Sequence, residues 1–189
     1  MERGYLTLFR VRGVPVRAHW TLPLGALLLS GGRIAPGIWV GVLLVVALHE
    51  LGHALFVHRF GLVNLGLDLT GFGGRCRWAG HPSEVQRAAI AWGGVLAQLA
   101  LLIPALAVAL FLPAPQSAFL AELLEAFTRT NAILIAFNLI PIKPLDGAEA
   151  WPLFGHLRRR RARVKKWKQK LAPQTLREAL DEADRNKLH

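Results

Sequence analysis

Two histidines flanking a glutamate form the strongest chemical signal in the sequence. The segment His49-Glu50-Leu51-Gly52-His53 places two imidazoles four residues apart. On a helix both rings project from one face, so both can reach a single metal ion. Glu50 is turned by about 100° from the ligand beside it, which suits it to take a proton from a zinc-activated water. The motif predicts a Zn²⁺ site with His49 and His53 as ligands and Glu50 as general base.

A third protein ligand is needed, and acidic residues in apolar surroundings are few. Asp146 follows Pro141 and Pro144, which interrupt a helix. Irregular backbone at membrane depth is tolerated where it lines a wet cavity. Taken alone, Asp146 would be an N-cap or turn residue before the next segment. Together with the histidine motif in an apolar setting, it is predicted to be the third metal ligand.

The surroundings of the histidine motif make it more specific than the string itself, because HExxH also occurs by chance in soluble proteins. The motif lies in the apolar segment 37–60. Two histidines and a glutamate in such a span cost several kcal/mol unless something compensates. A bound cation in a water-filled cavity supplies that compensation.

Long apolar runs predict a polytopic, all-α membrane protein. Hydrophobic residues make up 53% of the 189 residues, and the run 88–112 contains no charged residue. A helix of roughly 20 apolar residues crosses a bilayer. We predict about four transmembrane helices, at 20–30, 37–60, 88–112 and within 119–142. Between the second and third, the partial alternation of 62–77 and its glycines predict a small membrane-associated β-hairpin.

Basic residues predict the orientation of the spans. Arginines precede the first span and lie between the second and third, and a basic run follows the fourth, whereas the opposite links carry only Arg33. Such residues favour the cytoplasmic side. We therefore expect a multi-pass protein of a prokaryotic cell membrane with both termini in the cytoplasm.

The C-terminal part concentrates the positive charge. Nine of the 23 Lys and Arg residues fall in 158–170, which contains no acid. Next to a span this pattern favours anionic lipid over nucleic acid, which is not expected as a partner. We predict a catalytic core at 1–157 and a helical cytoplasmic tail at 158–189, broken near Pro173. The plain alternative for the tail is a solvated face that only fixes topology.

The two motifs together resemble those of the site-2 protease family of intramembrane metalloproteases. HELGH in a span is followed by Asn138-x-x-Pro141-x-x-Pro144-x-Asp146-Gly147. The resemblance covers about 16–154, and the Phe72-Gly73-Gly74 segment also matches. The residues given leave no room for an inserted PDZ-like domain or a nucleotide-sensing domain, so the expected form is the minimal one.

The resemblance implies that zinc is held by His49, His53 and Asp146, with Glu50 activating water. It implies regulated intramembrane proteolysis, in which transmembrane segments of membrane-anchored substrates are cut. Asn138 matches a position thought to hold substrate or stabilise developing charge, which an amide donor can do. A helix-packing asparagine is the alternative for Asn138.

The chain departs from the family pattern in the third span. Many relatives have Gly-Pro-x-x-Asn where this chain ends the same stretch with Gln98. Gln98 keeps an amide on a longer stem, and it joins Phe72, Gly73, Gly74 and Asn138 as a predicted substrate-binding residue. A strand edge near 67–70 is expected to pair with an unwound substrate through backbone hydrogen bonds.

Two other functions stay open. A non-proteolytic membrane binding protein could keep the fold and the metal, although a structural site has no use for Glu50. A membrane-tethered zinc protease acting on soluble chains would need its HExxH helix outside the bilayer, and the apolar flanks of the motif count against it. The oligomeric state is not predicted.

Overall fold

The computed structural model describes residues 4–11, 13–71 and 73–185, with backbone only for 168–177 and 179–185. The described chain is mostly helical and contains one four-stranded sheet. In chain order the elements are β1 (Tyr5–Val11), β2 (Val14–His19), α1 (Leu22–Leu29), α2 (Pro36–Arg59), β3 (Val63–Thr70), β4 (Gly73–Ala79), α3 (Glu84–Phe111), α4 (Ala118–Glu125), a π-helical turn (Ala126–Thr130), α5 (Asn131–Asn138), α6 (Gly147–Ala150) and α7 (Pro152–Arg185).

The sheet has the order β1-β2-β3-β4, with β2 and β3 parallel and the other pairs antiparallel. The β3–β4 hairpin confirms the prediction for 62–77. Strands β1 and β2 were not predicted, so the all-α class is too narrow. Strands β1 and β2 pair with each other as a hairpin. Strand β2 joins the rest of the sheet through pairing of Val16–Ala18 with Leu67–Leu69, a partner some fifty residues away that leaves no local pattern in the sequence.

The edge strands of the sheet are β1 and β4. Strand β3 has a paired neighbour on each side, whereas β4 pairs only with β3 among the described residues. Leu67 and Leu69 of β3 are instead buried in the main core with Val16, Ile38 and Val42. The expectation of a substrate-pairing edge at 67–70 is therefore wrong in its position, because hydrophobic burial has placed that strand inside the sheet.

Two helices in the described part of the chain are long and apolar enough to cross a membrane. They are α2, with 24 residues, and α3, with 28 residues. Along α3 the side chains of Leu96, Ile103, Leu110 and Phe111 are exposed, a surface suited to lipid and not to water.

The other two predicted spans have different shapes. Helix α1 has only eight residues, because Gly31 and Gly32 both adopt positive φ directly after it and end it. The predicted span within 119–142 forms α4, the π-helical turn and α5 in succession. The structure thus supports two crossing helices by length and composition, and four spans stay a prediction.

Helices α2 and α3 touch through their backbones. A Cβ added to Gly52 of the HELGH motif would overlap the main-chain oxygen of Gly93, and one added to Gly93 would meet that of Gly52. Small residues allow such close crossings between membrane helices. The crossing lies within the motif itself and brings α3 against both histidines.

The chain divides into two compact units, 1–151 and 152–189, whereas the sequence placed a boundary after 157. The second unit contains α7, which spans 34 residues without interruption at Pro173. The predicted break there is wrong. The flanking residues are largely strong helix formers, so the helix continues although proline removes one backbone hydrogen bond.

Candidate metal centre

The two histidines of α2 direct their rings toward one point. His49 and His53 are both buried, their rings are edge-on to each other, and their Nε2 atoms lie 2.9 Å apart. The four-residue spacing on a helix produces this convergence, as the sequence predicts.

The opposite ring nitrogens have partners on α3. His53 Nδ1 donates to the main-chain oxygen of Ile90 across 2.7 Å, and His49 Nδ1 lies 2.9 Å from Gln98 Oε1. Because carbonyl oxygens can only accept, each Nδ1 holds its hydrogen. When the rings are neutral, their Nε2 atoms therefore carry lone pairs that are available to a metal.

Asp146 completes the cluster. Its Oδ2 lies 2.9 Å from His49 Nε2 and 3.2 Å from His53 Nε2. The residue stands in the irregular stretch between α5 and α6, where the prolines predicted a break. Asp146 occupies the N-cap position of α6, but its side chain makes no capping hydrogen bond. The carboxylate thus serves the histidine cluster instead of the helix end.

These donor atoms fit a metal ion. Two ring nitrogens 2.9 Å apart, with a carboxylate oxygen about as close to each, need a proton or a metal cation among them to offset the repulsion of their lone pairs. Ligands about 2.0–2.1 Å from a tetrahedral zinc are separated by roughly 3.3 Å. The observed separations are slightly shorter, and the set of two imidazoles and one carboxylate is one that catalytic zinc sites use.

Glu50 lies beside this cluster without joining it. Its side chain is 2% exposed, its Oε2 has no hydrogen-bond partner among the described residues, and the Cys76 main-chain N–H donates to the carboxylate. A Cβ on Gly74 would overlap the Glu50 side chain. Strand β4 therefore passes Glu50 at a position where no larger residue fits.

No protein-family model matches the chain. A zinc metalloprotease from Methanocaldococcus jannaschii is 31% identical over 149 residues, which cover 75% of this chain and 43% of that protein. The chain thus spans less than half the length of this curated relative. A solved structure of a site-2 protease from the same organism matches with a TM-score of 0.61 and 26% identity, covering 79% of this chain and 71% of the other. In sequence and in fold the chain is similar to the site-2 proteases.

Most of the predicted substrate residues lie around one cavity beside the histidine cluster. A cavity of about 280 Å³ is lined by the three ligand candidates, Glu50 and four predicted substrate residues: Gly73, Gly74, Gln98 and Asn138. Asn138 is half-buried at the end of α5. Phe72 lies outside the described residues. The substrate roles of all five stay predictions.

Gln98 differs from the other predicted substrate residues in its contacts. Only 1% of it is exposed, and its side-chain oxygen contacts His49. The resemblance of the sequence suggested a substrate contact for Gln98 and missed this bond to a candidate metal ligand. One feature of the sequence could have indicated this contact. Gln98 follows Gly94 by four residues and so lies on the same helix face, the face that packs against the histidines.

Three further groups contribute to the site and could not be recognised from their residue types. The Ile90 oxygen and the Cys76 N–H are backbone groups, which every residue carries. Gly94 supports the rings by being small, since a Cβ there would lie 2.5 Å from His49 Cε1 and 2.6 Å from His53 Nε2. The Gly93-Gly94 pair in an apolar run was the only trace of this packing.

Cys76 lies on β4 within the cavity lining. Burial, with a smaller contribution from the Glu50 charge, raises the pKa of its thiol to about 12. Such a pKa leaves little thiolate at neutral pH, which disfavours Cys76 as a nucleophile.

Proposed function

We propose that this protein is an intramembrane zinc endopeptidase that cleaves transmembrane segments of membrane-anchored substrates, as in regulated intramembrane proteolysis. One observation carries the proposal. On a helix long and apolar enough to cross a membrane, two histidine nitrogens and a carboxylate oxygen converge beside a buried glutamate with an unpartnered oxygen.

His49, His53 and Asp146 would hold the zinc ion. When bound, zinc supplies Lewis acidity that makes a water molecule nucleophilic near neutral pH. Glu50 accepts the proton of the attacking water on its free Oε2 and passes it to the departing amine nitrogen. The Cys76 N–H on the carboxylate and the close packing of Gly74 orient Glu50 for both transfers.

Asn138 is proposed to hold the scissile carbonyl. It lines the cavity from the end of α5, on the same chain segment that leads to Asp146. Its amide can donate to the carbonyl oxygen as negative charge develops there. Packing within the helix alone would not require an amide at the cavity wall.

Strand β4 is proposed to bind the substrate in an extended form. It has a free edge within the described residues, and Gly73, Gly74 and Cys76 from this strand line the cavity. An added strand gains affinity from backbone hydrogen bonds and requires little sequence selectivity. A substrate helix must unwind to present its peptide bond, and this edge would receive the unwound part.

We propose a multi-pass topology with both termini in the cytoplasm of a prokaryotic cell. The direct pairing of β2 with β3 supports placing the chain before α1 and the chain after α2 on the same side of the membrane. If α2 crosses, residues 20–35 must also carry the chain across. After α3, the run 118–138 of about 21 helical residues covers about 31 Å and returns the chain. Reporter fusions to 113–117 and to the C-terminus test this arrangement.

The basic helix α7 is proposed to bind anionic lipid. Arg158, Arg159, Arg160 and Arg161 are exposed at its start, and exposed Val164 and Trp167 follow. Basic side chains attract anionic headgroups, and a tryptophan inserts at the lipid interface. A solvated tail would have no need of the exposed apolar side chains.

The deciding experiment compares the parent with Glu50→Gln in proteoliposomes containing candidate single-span proteins. We expect both to bind one zinc ion and only the parent to cleave, with a loss of at least a hundredfold in the variant. Glu149→Gln is the matched control, because Glu149 is an exposed acid at the same cavity. Equal cleavage by parent and Glu50→Gln contradicts the proposal. Bound zinc without cleavage of any candidate, in parent and variant alike, favours the non-proteolytic alternative.

A further inference from the structure

The third ligand candidate stands on the least regular part of the site. His49 and His53 are fixed by a helix, whereas Asp146 follows a stretch of turns and bends from Leu139 to Leu145. A metal ligand must be held to within about 0.5 Å of its working position. Some other contact has to supply the rigidity that secondary structure does not give this carboxylate.

Two indole rings bond to the two ends of this segment. Trp151 Nε1 donates to the main-chain oxygen of Leu139 across 2.7 Å, and Trp92 Nε1 donates to that of Ala150 across 2.9 Å. Leu139 closes α5 and Ala150 ends α6. The rings also contact each other edge to face, with centroids 5.8 Å apart and planes at 80°. The segment that carries Asp146 is thus joined at both ends through one aromatic pair.

The aromatic pair connects the segment of Asp146 to α3, the helix whose groups also bond to both histidines. Trp92 belongs to α3, which also provides the Ile90 oxygen to His53 and Gln98 to His49. Gly147, the residue after Asp146, packs against the start of the segment, because a Cβ there would overlap the main-chain oxygen of Leu139. All three ligand candidates are therefore positioned from α3.

We propose that Trp92 and Trp151 are positioning residues that set the Asp146 carboxylate at the correct distance from the two histidines. The proposal rests on the metal site of the proposed function but not on proteolysis. Without the indole N–H bonds the segment loses its two fixed ends, and the carboxylate samples positions away from the ring nitrogens. The consequence is weaker metal binding with altered coordination, while the histidines stay in place.

The test measures metal binding by the full-length protein in detergent. Trp92→Phe and Trp151→Phe each keep an aromatic ring and remove one N–H donor. We expect each to lower the affinity for Zn²⁺ and Co²⁺ by about tenfold or more, the range for groups that support metal ligands. We also expect the visible absorption of the Co²⁺ form to change, because that spectrum reports the ligand geometry.

Trp39→Phe is the matched control. Trp39 Nε1 is buried without a hydrogen-bond partner among the described residues, so the substitution removes the same atoms without removing a bond. The control is expected to keep the parent affinity and Co²⁺ spectrum. Far-UV circular dichroism checks that every variant is folded. If Trp92→Phe does not fold, Trp151→Phe decides the result, because its ring is 45% exposed and tolerates replacement.

Two outcomes separate the failure of this proposal from that of the metal site. Affinities and Co²⁺ spectra of folded Trp92→Phe and Trp151→Phe equal to those of Trp39→Phe overturn the positioning role. Asp146→Asn provides the reference for losing the third ligand. If that variant binds Co²⁺ with parent affinity and spectrum, Asp146 is not a ligand, and the proposed metal site is wrong in that respect.

Discussion

Gln98 accepts a hydrogen bond from His49, with Oε1 and Nδ1 separated by 2.9 Å in a place closed to solvent. Such a bond sets the orientation of the ring and leaves the lone pair of Nε2 directed at the cluster. The amide was predicted to face the substrate. Its observed partner makes metal affinity the property through which this residue is best tested.

Replacing Gln98 should weaken metal binding before it changes substrate choice. Gln98→Leu removes the acceptor, and we expect the zinc affinity to fall by about 10- to 100-fold. Gln98→Glu keeps an acceptor oxygen and should retain most of the affinity. Competition with a chromophoric chelator measures both. Parent-like affinity in Gln98→Leu would show that His49 does not need this bond.

Gly94→Ala should disrupt the site through a single methyl group. The added Cβ would lie within 2.7 Å of atoms in both histidine rings, so the rings must shift and zinc content should fall to a small fraction of the parent value. Gly155→Ala is the matched control, because among the described residues a Cβ at that helical glycine would meet only the Arg159 side chain, at 3.8 Å. Both changes gain about 1 kcal/mol in helix propensity. Equal zinc content in the two variants would contradict the packing argument.

Asp68→Asn should destabilise the sheet. Asp68 is 3% exposed and forms ion pairs with Arg17 of β2 and Arg77 of β4. Breaking a buried ion pair by removing one partner costs about 3–5 kcal/mol. Arg129→Ala breaks an exposed pair with Glu125 and should cost under about 1 kcal/mol. Thermal unfolding in detergent compares them, and similar melting temperatures would count against the buried network.

Cys76 should resist alkylation in the folded protein. Its thiol pKa of about 12, against an ordinary value of 9.0, reduces the thiolate by about a thousandfold at pH 8. The pKa of an acid raised by folding also means that stability falls as the pH rises above the unfolded value. Maleimide labelling across pH 7–10, with denatured protein as reference, measures the effect. Equal rates in folded and denatured protein would rule out this burial.

Trp167 should report the lipid contact of α7. In proteoliposomes with brominated anionic lipid we expect its fluorescence to be quenched more strongly than with brominated zwitterionic lipid alone, because 158–170 is basic. The difference between the parent and Trp167→Phe isolates this residue. Replacing Arg158–Arg161 by glutamine should remove the dependence on anionic lipid. Quenching that is indifferent to headgroup charge would leave the tail as a solvated segment.

Local patterns made much of the site predictable. The i, i+4 spacing of His49 and His53 fixes their common face in any helix, and apolar runs identified α2 and α3. The glycines near 71–74 indicated the β3–β4 hairpin. Prolines before Asp146 indicated irregular backbone at the place where its carboxylate meets the rings. Each of these features depends on residues close together in the chain.

The parts that were missed depend on distant partners. Strand β2 pairs with β3 across α1 and α2, and this distant pairing places β3 inside the sheet and leaves β4 at its edge. The Ile90 oxygen is a backbone group and carries no residue-type signal. Helix α7 continues through Pro173. A proline ends a helix only if the neighbouring residues do not offset the free energy lost with its missing hydrogen bond.

The contact between Gly52 and Gly93 limits how this metal site could be built into another protein. Grafting HExxH onto an arbitrary helix would reproduce two imidazoles and a carboxylate but not the neighbour that holds them. At Gly52, inside the motif, the main chain of α3 packs directly against α2. A transferable site would therefore need both helices, crossing at the same distance. A design that kept the side chains and widened the crossing would have the ligands without their supports.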